Sequence, residues 1–397
     1  QAKKRGYMLG TGIMSSKKVG INHKDFGVTS TGVVKFADVT LEQLGIDMRK
    51  DSFSVKITGG PNGDVAGNAM VQLLDQCPNV KIKMILDGTG AFYDPSGANH
   101  EELRRILLKK DLDAYNPKVF HPGAFILYRS RSKMDGMRQL FQKISRTRTG
   151  LEENWVSTDE FYREFDNMIF TVASDLFIPA GGRPETIDIN NYHKLFNVDG
   201  TPLNRAIVEG ANSFITPPAR VELQKRGIMV IRDASANKCG VISSSYEIIA
   251  NLLLSEDEFL AHKEEYVGNV VSILKKRAED EARLIFKRYD EADGELLYTE
   301  ISDAISTEIN GFYAKLFDYF RNNLEICDQP LYQKAIIAHL PEMLKNNKLF
   351  SDRITQLPDK YKAAILASEI ASSMVYSGNL EANFMYMVEG HLSRLAG

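Results

Sequence analysis

Short apolar runs alternate with helix-length stretches between residues 51 and 242. Runs at 53–58, 80–86, 175–178, 206–209 and 228–231 are apolar-rich, and each is followed by a glycine or proline cluster. Segments 98–110, 158–165, 217–225 and 244–254 carry apolar residues at helical spacing. Short apolar runs separated by stretches of helical period predict a parallel sheet with crossover helices. From about residue 256 glycine becomes sparse, and EDEFLAHKEEYVGNVVSILKKRAEDEARLIFKRY repeats apolar residues every three or four positions. Pro330, Pro341 and Pro358 punctuate this region into helices, the last spanning about 360–395. Ile301, Ile305, Ile309, Phe312, Leu316 and Phe320 recur at the spacing that packing against a domain or another subunit needs. The expected fold class is α/β, a Rossmann-like doubly wound sheet with helices on both faces, followed by an all-helical C-terminal region. Residues 123–154 fit neither pattern. GAFILYRS reads as a strand, while RSKMDGMRQLFQKISRTRTG is basic and reads as a solvated surface excursion, with a charged partner or subunit contact as the alternative.

Composition narrows the function classes. A chain of 397 residues with 43% apolar content can bury a large core, and this length suits two domains. A net charge of -3 gives no sign of nucleic-acid or membrane binding. The sequence has no run of 18 apolar residues and no signal-like start, which implies a cytoplasmic protein. Cys77, Cys239 and Cys327 are odd in number and lack CxxC spacing, which argues against a disulfide framework and a zinc site. The histidines are scattered, and no metal is expected.

The candidate chemistry begins at TGGPNGDVAGN, residues 58–68, which places four glycines between an apolar run and a helix-like one. A strand that ends in a glycine turn and reopens as a helix aims backbone N–H groups and the positive end of the helix dipole at one point, where an anion is stabilised. The spacing Gly59, Gly60, Gly63, Gly67 departs from the strict GxGxxG of a dinucleotide fingerprint. Asp87 supports the dinucleotide reading, because it lies 24 residues beyond Gly63 at the tip of the second strand, where a carboxylate can bind both hydroxyls of an adenosine ribose. A 2′-phosphate would be repelled there, so NAD is favoured over NADP. The alternative is an ordinary glycine turn with Asp87 starting a second turn before Gly88. No Gly-Lys-Ser/Thr follows, which excludes a P-loop. Asp64, at the helix start, reads as an N-terminal cap.

Three later stretches share this design. IPAGGRPETI and IVEGANSFITPPA each carry small residues where a strand ends, and the carboxyl ends of strands line the ligand crevice of an open parallel sheet. In IRDASANKCGVISSSYEI, Asn237 precedes a turn, and Ser244 with Glu247 matches a capping box, a helix start that could also seat a substrate carboxylate.

Together with KKRGY, HKDFGVTSTGV and ILDGTGAFYDPSGAN, these motifs resemble, over about residues 1–255, the catalytic half of NAD-dependent glutamate dehydrogenases of the large-subunit type. The resemblance implies a domain organisation in which 1–35 leads in from a substrate domain, 36–245 binds NAD and 246–397 is helical. It implies that Thr29 and Asn237 contact the nicotinamide carboxamide, and that Gly60, Gly63 and Asp64 lie against the pyrophosphate. Asp87 would hold the adenosine ribose, Ala180, Gly181 and Asn212 would line the nicotinamide half, and Ser244 would hold the side-chain carboxylate of glutamate. The implied reaction is oxidative deamination of L-glutamate to 2-oxoglutarate and ammonia, with hydride transfer to NAD, in a homo-oligomer.

The turn before Ser244 reads Asn237-Lys238-Cys239-Gly240, where the family has Asn-Ala-Gly-Gly. The family's catalytic lysines and aspartate are not recognisable in this chain and are expected before Gln1. Lys3, Lys4, Lys17 and Lys18 read as solvated charges, and the chain as a fragment inactive by itself. Two alternatives stay open: a dehydrogenase of leucine, valine or phenylalanine, and a non-catalytic NAD-responsive interaction module.

Overall fold

The computed structural model describes residues 19–378 together with Gly390. Lys3, Lys4, Lys17, Lys18 and the end of the expected last helix lie outside the described residues. The described residues divide into two compact units, one formed by His23–Val241 with Leu297–Thr299, the other by residues from 19–22, 242–296 and 300 onward.

The first unit is built on a nine-stranded sheet. After helices α1 (His23–Phe26) and α2 (Val28–Gln43), strand β1 (Phe53–Thr58) enters the core with all six residues buried. Helix α3 (Asp64–Gln76) returns the chain to β2 (Val80–Leu86), which pairs parallel to β1. Strand β3 (Gly90–Tyr93) then turns back antiparallel to β2, and α4 (His100–Ile106) follows.

An antiparallel meander comes next, β4 (Phe125–Asp135), β5 (Arg138–Arg146) and β6 (Leu151–Ser157), extending the sheet outward from β3. The basic stretch read as a surface excursion is therefore regular sheet. Its far half is solvated on both faces, with Arg129 through Asp135 exposed, so it lacks the apolar alternation that marks a half-buried strand. Asp135-Gly136 opens its two-residue turn, with Gly136 at φ 58°, a common hairpin signal.

Helix α5 (Thr158–Asn167) starts at a capping box in which Ser157 and Glu160 satisfy each other's backbone N–H. It leads to three further parallel strands, β7 (Ser174–Pro179), β8 (Asn204–Val208) and β9 (Met229–Ile231), with α6 (Pro217–Lys225) between the last two and α7 (Asp233–Ala236) after them. The strand order β6-β5-β4-β3-β2-β1-β7-β8-β9 contains the doubly wound parallel core β2-β1-β7-β8-β9. Val55, Ile57, Ile82, Ile85, Leu176 and Ile178 are fully buried within that core.

Helix α8 (Cys239–Leu253) carries the chain into the helical unit. There α9 (Glu256–Glu291) begins at the capping box of Ser255 and Glu258, and α10 (Tyr298–Asn322) follows. Along α10, Ile301, Ile305, Leu316 and Phe320 are buried, whereas Ile309 and Phe312 are half-buried. Pro330 starts α11 (Pro330–His339), and Pro341 and Pro358 immediately precede α12 (Glu342–Asn346) and α14 (Asp359–Ser377), with α13 (Lys348–Ile354) between. These prolines act as the sequence implies, because the first helical turn needs no N–H from them. Among the described residues, no helix is long and apolar enough to cross a membrane.

Candidate functional site

In a doubly wound sheet, ligands bind outside the carboxyl ends of the strands where the winding reverses. Here that point lies between β1 and β7, since β2 flanks β1 on one side and β7 to β9 extend from the other. Thr58, the last residue of β1, pairs with Leu86 of β2 and Pro179 of β7, so the turns after all three strands open on one edge.

The glycines of the first turn have different reasons to be there. A Cβ on Gly59, whose φ is 100°, would stand 2.8 Å from the Ala66 side chain and 3.0 Å from the Gly181 nitrogen. One on Gly60 would reach the Asp87 carboxylate at 2.6 Å, and one on Gly67 would run into the Pro61 carbonyl and the Leu108 side chain. Gly67 therefore clears the turn itself and Leu108. Gly63 is unlike them: its Cβ would have only the Gly60 carbonyl near, at 3.1 Å, and its φ of -70° and ψ of 147° suit any residue. Of the four glycines it has the most room for a side chain, its one tight neighbour being the Gly60 carbonyl.

Gly63 is the residue preceding α3, and no side chain caps that helix. Its first N–H groups have no backbone partner within the helix, and the positive end of its dipole lies at the same place, so an anion is favoured, although the Asp64 carboxylate already takes the Val65 N–H. Asp64 is the first helical residue instead of the cap that the sequence suggests, and its carboxylate accepts the Val65 N–H at 2.8 Å.

Asp87 plays the turn-forming part and keeps a carboxylate at the crevice. Its Oδ1 accepts the Thr89 N–H and hydroxyl, both at 2.7 Å, and the Gly90 N–H at 3.0 Å. Its Oδ2 accepts the Leu112 N–H at 3.1 Å and is the oxygen that faces Gly60. Burial raises its pKa, while the donated hydrogen bonds oppose the shift.

Asp87 and Gly60 open into a cavity of about 610 Å³, whose wall includes Arg129, Tyr162, Phe170, Gly181, Arg183 and Lys194. Aromatic rings beside cations suit a heteroaromatic ring bearing phosphates. Sequence reasoning missed this wall. Arg183 follows directly on the Gly181-Gly182 pair, but Arg129 and Tyr162 come from β4 and α5, and only the fold brings them to the β2 tip.

A fully buried lysine, Lys56, braces that wall from below. Its ammonium donates to the Ile169 carbonyl at 2.5 Å and the Val172 carbonyl at 3.0 Å, and stands 4.8 Å from the centre of the Phe177 ring.

The second group of sequence candidates gathers at the ends of β8 and β9. Asn237 donates to the Asn212 side-chain oxygen at 2.7 Å and to the Gly210 carbonyl at 3.1 Å. Thr29 lies against the same turn, since a Cβ on Gly240 would stand 2.5 Å from its hydroxyl. The α1–α2 segment is fastened to the glycine turn by Lys24 to Asn62 at 2.7 Å, Asn68 to the Lys24 carbonyl at 2.8 Å and Ser30 to the Val65 carbonyl at 2.8 Å. His23 is half-buried near Gly240, and burial lowers its pKa against the opposing charge of Asp64.

Ala180 donates its N–H to the Thr58 carbonyl at 2.9 Å, and the Thr58 hydroxyl donates to the Gly181 carbonyl at 2.5 Å, so these residues join the turns after β1 and β7. Ser244 is held by a different element. It lies inside α8 in the helical unit, half-buried, and is not a helix cap. Glu247, its supposed capping partner, accepts the Ile21 N–H at 2.6 Å instead. The capping-box reading there is corrected because α8 already starts at Cys239.

Comparison with known proteins identifies the family. The profile of the Glutamate/Leucine/Phenylalanine/Valine dehydrogenase family matches residues 20–292. A protein of Schizosaccharomyces pombe named probable NAD-specific glutamate dehydrogenase is 30% identical over 90% of this chain and 31% of its own length. The NAD-specific glutamate dehydrogenase of Neurospora crassa is 32% identical over 92% of this chain and 34% of its own length. That of Saccharomyces cerevisiae is 31% identical over 95% of this chain and 34% of its own length. The chain thus spans about a third of the length of these curated relatives. With the matched profile covering both the glycine turn and the Asn212–Asn237 pair, this chain belongs to the glutamate/leucine/phenylalanine/valine dehydrogenase family.

Proposed function

We propose that this chain binds NAD along the carboxyl edge of its parallel strands and serves the oxidative deamination of L-glutamate to 2-oxoglutarate and ammonia. The observation that carries the cofactor reading is the glycine turn at the switch point of the sheet, where Gly63 brings bare backbone to the N-terminus of α3. In this reading the backbone at Gly60, Gly63 and Asp64 receives the pyrophosphate. Asp64 contributes its N–H, its carboxylate being turned onto Val65. Asp87 accepts the adenosine ribose hydroxyls through Oδ2, and its charge disfavours a 2′-phosphate. The cavity beside Tyr162 and Phe170 takes the adenine. Ala180, Gly181 and Asn212 line the nicotinamide half, with Thr29 and Asn237 on the carboxamide.

When bound, NAD supplies the hydride acceptor of the reaction. The residues named here orient its ring and hold its charge. Glutamate is favoured over leucine, valine or phenylalanine as substrate because the relatives that match most of this chain are named glutamate dehydrogenases. A cytoplasmic setting suits three buried, free cysteines.

Thermal-shift titration tests the proposal. A ligand that binds only the folded state raises the melting temperature by mass action. NAD should do so at lower concentration than NADP, and glutamate added with NAD should raise it further where leucine does not. No shift with NAD overturns the cofactor reading. A further shift with leucine but not glutamate overturns the substrate reading.

A further inference from the structure

Asn237 and Asn212 form a pair of fixed polarity. The Gly210 carbonyl can only accept, so the Asn237 atom facing it at 3.1 Å is the amide nitrogen, and the Asn212 atom facing that nitrogen at 2.7 Å is therefore the oxygen. This leaves the Asn237 oxygen as an acceptor and the Asn212 nitrogen as a donor within one hydrogen-bonded pair. A primary carboxamide offers the complementary pair, whereas a carboxylate would set an oxygen against the Asn237 oxygen.

The polarity depends on where the 209–215 loop and α7 are held: the Pro179 carbonyl fixes the loop's start through the Gly210 and Ala211 N–H groups, and one side chain ties the rest of the loop to α7. Arg220 of α6 donates to Glu209 at 2.7 Å and 3.1 Å, and to Asp233 at 3.1 Å. Each of those carboxylates grips the loop that carries Asn212: Glu209 accepts the Ile215 N–H at 3.2 Å, and Asp233 accepts the Ser213 N–H at 2.7 Å. Asp233 is also the first residue of α7, and its carbonyl accepts the Asn237 N–H at 2.9 Å. Ser213 is held at φ 54°, an unfavourable conformation for a residue with a side chain, which shows that the loop is constrained by its surroundings. Arg220 is 8% exposed and Glu209 is fully buried, so water does not compete for these contacts.

We infer that Arg220 is the positioning residue that makes this site select a primary carboxamide on the cofactor's ring, and so NAD over its carboxylate analogue, nicotinic acid adenine dinucleotide. The inference rests on the proposed placement of the nicotinamide at Asn212 and Asn237. Losing one well-placed hydrogen bond of this kind corresponds to a change in affinity of roughly tenfold.

The test measures by calorimetry the affinities of NAD, of the carboxylate analogue and of ADP-ribose, which lacks the ring. The proteins are the wild type, Asn237→Ala, Arg220→Met and Arg220→Lys. The wild type should prefer NAD over the analogue by roughly tenfold, and Asn237→Ala should erase the preference while ADP-ribose affinity stays within about twofold. Arg220→Met should do the same. Arg220→Lys keeps the charge but loses the two-pronged geometry, and it decides the matter where Arg220→Met, with Glu209 buried and unpaired, does not fold. A preference retained in Asn237→Ala removes the underlying placement of the nicotinamide. A preference lost in Asn237→Ala but retained in every folded Arg220 variant overturns the inference alone. Parallel loss of ADP-ribose affinity in both Arg220 variants shows a merely structural residue and also overturns it.

Discussion

Replacing Lys56 by methionine probes the cost of burying a charge beneath the cavity lined by Ile169 and Phe170. The side chain is fully buried, and desolvation lowers its pKa from 10.5 to about 7. Between those two values the unfolded chain binds more protons than the folded one, so this group makes stability rise with pH. At pH 7 the folded lysine is half deprotonated and the unfolded one fully protonated, a cost of about 4 kcal/mol at 1.36 kcal/mol per unit. At pH 9 the remaining gap of about 1.5 units costs about 2 kcal/mol. The wild type should therefore gain about 2 kcal/mol on Lys56→Met between pH 7 and pH 9. The substitution also leaves the Ile169 and Val172 carbonyls without their donor, costing about 1–3 kcal/mol each, so at pH 7 the two proteins come out close in stability. The assay is urea unfolding followed by the fluorescence of Trp155, the single tryptophan of the chain, which lies in the same unit as Lys56. Stability profiles of the two proteins that run parallel from pH 7 to pH 9 refute the reasoning.

Three further outcomes follow from the same geometry. Gly67→Ala drives a methyl into the Pro61 carbonyl and the Leu108 side chain, and should cost about 1–3 kcal/mol in the same unfolding assay. Asp87→Asn keeps an oxygen for the Thr89 and Gly90 donors but loses the charge, so the ratio of NADP to NAD dissociation constants should narrow by roughly tenfold. Ser255→Ala removes the cap of α9 and should destabilise the helical unit by about 1 kcal/mol, read as a lower melting temperature by far-ultraviolet circular dichroism.

The elements whose burial follows a simple period were legible in the sequence. β1, β2 and α6 fall on the expected residues because apolar residues alternating with polar ones in FSVKIT and VKIKMIL, and the Pro217 start, mark them. The meander from β4 to β6 was not, because a strand solvated on both faces has no apolar period to read, although Asp135-Gly136 marked its turn. Within the site, Gly60 and Asp87 could be singled out from chain order, but their contact with each other is tertiary. The motif Ser-x-x-Glu occurs at Ser157, Ser244 and Ser255, and only the first and last begin helices. The local pattern at Ser244 is overridden by a helix that already started at Cys239. Arg220 carried no signal at all, since its importance comes from two carboxylates 11 and 13 residues away in sequence.

The central claim, that NAD lies against the glycine turn, is tested most directly by titrating NAD into the wild type and Gly63→Val and comparing their melting temperatures without ligand. The backbone angles of Gly63 suit a valine, whose Cβ has the Gly60 carbonyl as its one tight neighbour, so the melting temperature should change little, while its side chain occupies the proposed pyrophosphate position and NAD affinity should fall by more than about 100-fold. Unchanged NAD affinity in Gly63→Val, or no binding of NAD to the wild type, would contradict it.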